Sequence, residues 1–209
     1  MAPAPVSAGE AGGRDEDPRA LAERLVGALD RRRGTGEVVE AAGVARAAAA
    51  QVAGWGAERA LMAGDPLLDE LGLPAALEAA GVEVLRWPAG REGGWRDLLG
   101  LDGPEATVGV TVPDLGVAER GTLVLGTGPH HGRSIDVVSQ RHLAVLPASR
   151  IRATLAEALA ERFRTDEDRR PPSAVSLVSG PSRTSDIEKI STLGAHGALS
   201  MHVLAVADR

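Results

Sequence analysis

The 209-residue chain contains no cysteine. Disulfides, thiolate zinc sites, cysteine nucleophiles and cysteine-ligated iron–sulfur clusters are therefore excluded within it. Tyrosine is also absent, Phe163 is the only phenylalanine and aromatics amount to 2%, so a core has to be filled by Leu, Val, Ile and Ala. Lysine occurs once, at Lys189. Without a Gly-Lys pair there is no Walker-type phosphate loop, and a Schiff-base mechanism would have to use that one residue. No Gly-x-Ser-x-Gly elbow and no His-Glu-x-x-His pattern occur, so the common serine-hydrolase and metalloprotease arrangements lack support and no metal site is expected. No apolar run is long enough to span a bilayer, and residues 1–17 lack the basic start and apolar stretch of a signal peptide. A cytoplasmic protein without membrane insertion is the expectation. The net charge is −6 with the basic residues dispersed, which argues against nucleic acid as a partner.

What is present is a 44% hydrophobic chain, sufficient for one domain with a sizeable core. Residues 1–16 read as a flexible tail, 17–80 as an N-terminal helical segment and 81–209 as an α/β domain. Asp17-Pro18 and Asp65-Pro66 are helix starts, with Asp able to cap and Pro pre-set for the first turn. Leu21, Leu25, Ala28 and Leu29 make one helical face. Residues 37–62 read as an Ala-rich helix, in one piece or two, and Pro74 begins another up to Ala80. The Arg31-Arg32-Arg33 run reads as a cationic last helical turn before Gly34, or as an anion or partner contact.

After Gly81 the texture changes to short β-like runs, with strands expected over 82–85, 107–112, 122–125, 143–146, 174–178 and 201–206. A helix is expected over 149–164, where Ile151, Leu155, Leu159 and Phe163 repeat at intervals of four, and another over 184–193.

Four stretches could carry chemistry. Ser179-Gly180-Pro181-Ser182-Arg183-Thr184-Ser185-Asp186-Ile187-Glu188 follows a strand and, on this reading, opens a helix. Backbone N–H groups, hydroxyls and the Arg183 guanidinium would then face an anion, or Thr184, Ser185 and Glu188 would satisfy one another as an ordinary cap. Glu119 and Arg120 stand after a Pro113-Asp114 turn and before Thr122, either as a ligand-facing carboxylate at a strand end or as a surface ion pair. Gly126-Thr127-Gly128-Pro129-His130-His131-Gly132-Arg133 fails the dinucleotide fingerprint and reads as a mobile surface loop or lid. His196, between Ala195 and Gly197, is sterically open and suited to proton exchange, or else bonds a neighbouring loop; His202 reads as structural and His142 as ambiguous.

Taken together, Gly109-Val110-Thr111, Ala118-Glu119-x-Gly121-Thr122-Leu123, Arg141 followed by Leu146-Pro147, the Ser179–Glu188 run and His196-Gly197 resemble, in order, the lactate-utilization protein C family, whose common element is the LUD domain. The Gly-Pro-Ser-Arg-Thr-x-Asp-Ile-Glu run is its most specific part. Arg120 stands where the family typically has Thr, and Ala198 where Pro is usual. The resemblance implies a Rossmann-like α/β domain with a mostly parallel sheet flanked by helices, similar to the ribose-5-phosphate isomerase and CoA-transferase group. It also implies a role in oxidising L-lactate to pyruvate beside iron–sulfur or redox proteins. The chain is then expected to be a non-redox subunit or accessory protein with no cofactor of its own and a possible bound small anion. The alternatives are a stand-alone enzyme acting on a sugar phosphate or acyl thioester, and a metabolite-binding regulator. Glu119 and His196 are the candidate catalytic residues. Gly180, Ser182, Arg183, Thr184, Ser185, Asp186, Thr122 and Arg141 are the candidate ligand-binding residues. The Ser182–Thr184 loop, Glu119 and His196 are expected to converge at the carboxyl ends of the strands.

Overall fold

The computed structural model describes residues 16–87, 107–132, 135, 139–163, 172–185, 191–193 and 197–209. Helix α1, Pro18–Asp30, begins as its sequence dictates: the Asp17 side chain accepts from the Arg19 N–H at 3.1 Å, and Pro18 sits where no backbone donor is needed. Leu21, Ala22, Leu25, Ala28 and Leu29 form its buried face. Arg31 donates to the Gly27 carbonyl at 3.0 Å, satisfying a free carbonyl at the helix end, so the arginine run begins by closing the helix.

Residues 37–62 are not one long helix. Strand β1, Thr35–Val39, is followed by helix α2, Ala41–Gly54, and strand β2, Arg59–Met62. At the end of α2, Gly56 takes a φ of 63°, and the N–H groups of Gly56 and Ala57 return to the carbonyls of Ala53 and Val52. This closure holds Trp55 at the helix end. Helix α3, Pro66–Glu70, is capped by Asp65 as expected, and helix α4, Leu73–Ala79, leads into strand β3, Glu83–Arg86. The stretch 17–80 thus supplies two strands as well as helices.

The later strands are β4 (Thr107–Thr111), β5 (Leu115–Val117), β6 (Thr122–Gly126), β7 (Arg141–Pro147), β8 (Ile151–Arg152), β9 (Val175–Val178), β10 (Arg183–Ser185), β11 (Ser191–Leu193) and β12 (Ser200–Val206). Six of the strands form a wholly parallel sheet in the order β1-β12-β7-β4-β2-β3. The architecture is α/β. The central strands β7 and β12 are buried at six of seven positions each, as expected of parallel strands covered on both faces. One face carries Val108, Val110, Leu143, Val145 and Leu204 against α2, α3 and α4. The other carries Ala144, Leu146, Val203 and Ala205 against α1 and a second sheet of order β8-β5-β6-β9.

The helix expected over 149–164 is shorter: a 3-10 turn, Ala148–Arg150, and strand β8 precede helix α5, Leu155–Arg162. A capping box decides the start, because Thr154 and Glu157 each bind the other's backbone N–H. Ile151 is buried in β8, whereas Phe163 is exposed, so the interval of four is not a single helical face. Helix α5 packs on the outer side of the small sheet through Ala158, Leu155, Val117 and Val124. Arg162 lies 2.7 Å from Asp114, whose carboxylate also accepts from the Gly126 N–H.

The helix expected over 184–193 is not formed at its described ends, and 186–190 lie outside the described residues. Residues 183–185 and 191–193 pair antiparallel as β10 and β11, with Thr184 opposite Thr192.

Candidate functional site

Between the two sheets the chain leaves β9 through Ser179, Gly180 and Ser182 and crosses the amino-terminal ends of β7 and β12. An open cleft of about 240 Å³ lies there, lined by His142 of β7, Ser176 and Val178 of β9, Ser179, Gly180, Ser182, and Gly197, Ala198 and Met201 at the entry to β12. The crossing is held from both sides. The Ser182 N–H donates to the Ala198 carbonyl at 2.8 Å, and a Cβ on Gly180 would lie 2.8 Å from the Arg32 carbonyl in the turn after α1. Gly180 also takes a φ of 104°, so a side chain is disfavoured there twice over.

His142 is buried in the cleft wall, and its Nε2 shares a 2.8 Å hydrogen bond with the Thr111 hydroxyl of β4. That bond fixes the ring's orientation. Thr122 Oγ1 and Ser179 Oγ are 2.7 Å apart, joining the 118–121 turn to the cleft rim. The arrangement lines with serine hydroxyls and one imidazole a space suited to a small polar molecule.

Several candidate residues meet here. Gly180 and Ser182 line the cleft, and Thr122 touches its rim. Arg183, Thr184 and Ser185 continue directly from it as β10, so a strand paired with β11 stands where a helix amino terminus was expected to favour an anion. Arg141 opens β7 immediately before His142. His196 and Asp186 lie outside the described residues, although Gly197, next to His196, lines the cleft.

Glu119 does not line it. Its carboxylate accepts from the Leu155 N–H at 3.0 Å at the start of α5 and lies 3.5 Å from Arg120. Helix capping and a surface ion pair account for those contacts. The expected position at the carboxyl ends of the parallel strands is also corrected. At β1, β12 and β7 that edge is bridged by residues 207–209: the Ala207 N–H binds the Val39 carbonyl, Asp208 accepts from the Ala41 N–H, and the Arg209 carbonyl accepts from the Ser149 N–H. The cleft forms at the opposite edge because β9, antiparallel to β6, delivers the Ser-Gly-Pro-Ser segment there.

The stretch 126–133, expected as a mobile surface loop or lid, is described through Gly132; the Gly64 N–H donates to the His130 carbonyl at 2.8 Å, and His131 is buried. Among the described residues no three His, Asp or Glu side chains are placed to share a metal ion. The cleft-lining residue that the sequence left ambiguous is His142; a histidine at the second position of a doubly buried strand was its available signal.

The parallel sheet, the companion mixed sheet and a hydroxyl-lined cleft between them define an α/β domain. The LUD domain model matches residues 22–206, and the chain belongs to that family. It is 31% identical over 146 residues to lactate utilization protein C of Halalkalibacterium halodurans, covering 69% of this chain and 61% of that protein. It is 32% identical over 166 residues to lactate utilization protein C of Geobacillus kaustophilus, covering 76% of this chain and 67% of that protein. A crystal structure of a DUF162 family protein from Deinococcus radiodurans has the same fold, with a TM-score of 0.63 at 19% identity, over 91% of this chain and 99% of that one.

Proposed function

We propose that this chain serves lactate utilization as a non-redox component that binds a small carboxylate in the cleft between β9, β7 and β12. The observation that carries the reading is the convergence of Ser176, Ser179, Ser182 and His142 on a cleft of about 240 Å³, at the Ser-Gly-Pro-Ser-Arg segment that carries the family likeness. A short hydroxy acid or keto acid offers a carboxylate and a second oxygen to the serine hydroxyls that line the cleft. The cysteine-free sequence fits a division of labour in which partner proteins carry iron–sulfur or redox groups. Residues 1–15 and the 186–190 segment play no part in this reading.

A thermal-shift panel tests it, using L-lactate, pyruvate, inorganic phosphate, sugar phosphates and acyl-CoA on the whole chain and on Ser182→Ala. A ligand at a hundredfold its Kd stabilises by about 2.7 kcal/mol, a rise of a few degrees in Tm for a domain of this size. The expected result is a response to L-lactate or pyruvate that Ser182→Ala loses. Lactate oxidation by the reconstituted partner proteins that proceeds equally well without this chain would overturn the component role.

The position of His142 favours one second reading, an enzyme transferring a proton on a sugar phosphate or acyl thioester. In that case phosphate esters or thioesters give the response, and His142→Gln abolishes turnover. An unchanged rate in Glu119→Gln removes Glu119 from the chemistry.

A further inference from the structure

A second cavity lies on the opposite face of β12 and nothing in the reading above uses it. Its volume is about 310 Å³, and it is lined by Arg33, Thr35, Gln51, Trp55, Ser200, Met201 and His202. Three elements build it. The turn after α1 contributes Arg33, held at a φ of 63°; the end of α2 contributes Gln51 and Trp55; and the adjacent starts of β1 and β12 contribute Thr35 and His202, which are register partners.

The fold uses only part of its polar lining. His202 is 7% exposed, its Nδ1 is fixed 2.8 Å from the Thr35 hydroxyl, and its Nε2 has no hydrogen-bond partner among the described residues. The nearest acid, Glu37 Oε1, stands 3.5 Å from that nitrogen. At that distance the carboxylate makes at most a long contact, so the buried ring nitrogen keeps capacity for a closer partner. The Trp55 and His202 rings meet edge to face, 6.5 Å between centroids at 82°, and make an aromatic corner. Arg33 and Gln51 take part in no described side-chain hydrogen bond or ion pair.

We infer that this cavity is a second small-molecule site for a flat heteroaromatic ring bearing an acidic group. The ring lies against Trp55 and bonds His202 Nε2 and the Gln51 amide through its edge, while the acidic group pairs with the Arg33 guanidinium. An aromatic wall, an edge-reading amide and an arginine are the parts such a ligand needs, and the volume limits it to about the size of a mononucleotide. Glu37 beside His202 disfavours an acid at that end of the cavity and so orients the ligand with its charge toward Arg33.

Tryptophan fluorescence titration of the whole chain tests this with adenosine 5′-monophosphate and with nicotinic acid, which separate a nucleotide from an aromatic carboxylate. Ribose 5-phosphate serves as the ring-less control. The expected result is saturable quenching by at least one of the two aromatic acids and none by ribose 5-phosphate. The quenching is lost in Trp55→Leu and retained in Ser182→Ala. Arg33→Ala, an exposed position, weakens it about tenfold or more, the loss expected for one charge-assisted hydrogen bond. No saturable quenching by either acid overturns the site. So does quenching that survives in Trp55→Leu, or that Ser182→Ala abolishes while Arg33→Ala leaves it unchanged, since these place the ligand elsewhere. Because the lactate panel reads the other face of β12, either site can fail without the other.

Discussion

Gly121 shows how one residue ties the site to the scaffold. Its φ is 59°, and a Cβ added there would lie 2.6 Å from the Leu29 N and 2.9 Å from the Ala28 carbonyl carbon of α1. Both the backbone conformation and the space require glycine. Gly121→Ala is expected to lower stability by about 1–3 kcal/mol and to loosen the Thr122–Ser179 contact, as measured by urea unfolding and by weaker ligand response in the cleft. A second residue-scale effect concerns His202. Burial pushes its pKa down, and the Glu37 carboxylate only partly opposes this. Its contribution to stability is therefore present above the ordinary imidazole value of 6.5 and is lost as pH falls through the lower folded value. Equilibrium unfolding between about pH 7 and pH 5 should show stability falling with pH, with a shallower fall in His202→Gln. An equal slope in both proteins would assign the pH dependence to other groups. From the sequence alone His202 could be placed in a strand, but its neighbours Thr35, Glu37 and Trp55 come from positions far away in the chain.

Among the elements, α5 shows where periodicity was a sound guide and where it misled. Leu155 and Leu159 do belong to the helix, yet Ile151 and Phe163 share their interval of four without sharing their environment. Ile151→Ala should cost about 2–5 kcal/mol as a buried aliphatic deletion, whereas Phe163→Ser should stay within about 0.5 kcal/mol. The single helix expected over 149–164 would instead make the two comparable. Thr154→Ala, which removes one half of the capping box, should cost about 1 kcal/mol by chemical denaturation. Strand β2 illustrates the opposite problem. Its sequence, Arg-Ala-Leu-Met, consists of strong helix formers, and its extended state comes from pairing with β3 and β4 on either side. Thr184 and Ser185 open a run that matches a capping pattern locally, yet both pair in the β10–β11 ladder. Strand pairing of this kind leaves little trace in local composition.

For the whole molecule, α1 is the piece on which both sheets depend. Leu25 is fully buried, shares a core with Ala144, Leu146, Val203 and Ala205 of the parallel sheet, and joins Leu123 and Ile151 of the small sheet. Leu25→Ala should therefore cost about 2–5 kcal/mol and should lower the unfolding midpoint for both sheets together. Circular dichroism and Trp fluorescence transitions that separate in this variant would show that the sheets unfold independently.

The sequence by itself determined the chemistry the chain can contain: no cysteine ligand, one lysine, an aliphatic core, helix starts at Asp17 and Asp65, and a Ser-Gly-Pro-Ser-Arg segment after a strand. These depend on residue type and near neighbours, which are legible without a fold. Tertiary structure alone decided which edge of the parallel sheet receives that segment, that Glu119 caps α5 while His142 faces the cleft, and that Arg33, Gln51, Trp55 and His202 enclose a second cavity. Those outcomes rest on strand order and on contacts between distant parts of the chain, which no local pattern of residues encodes.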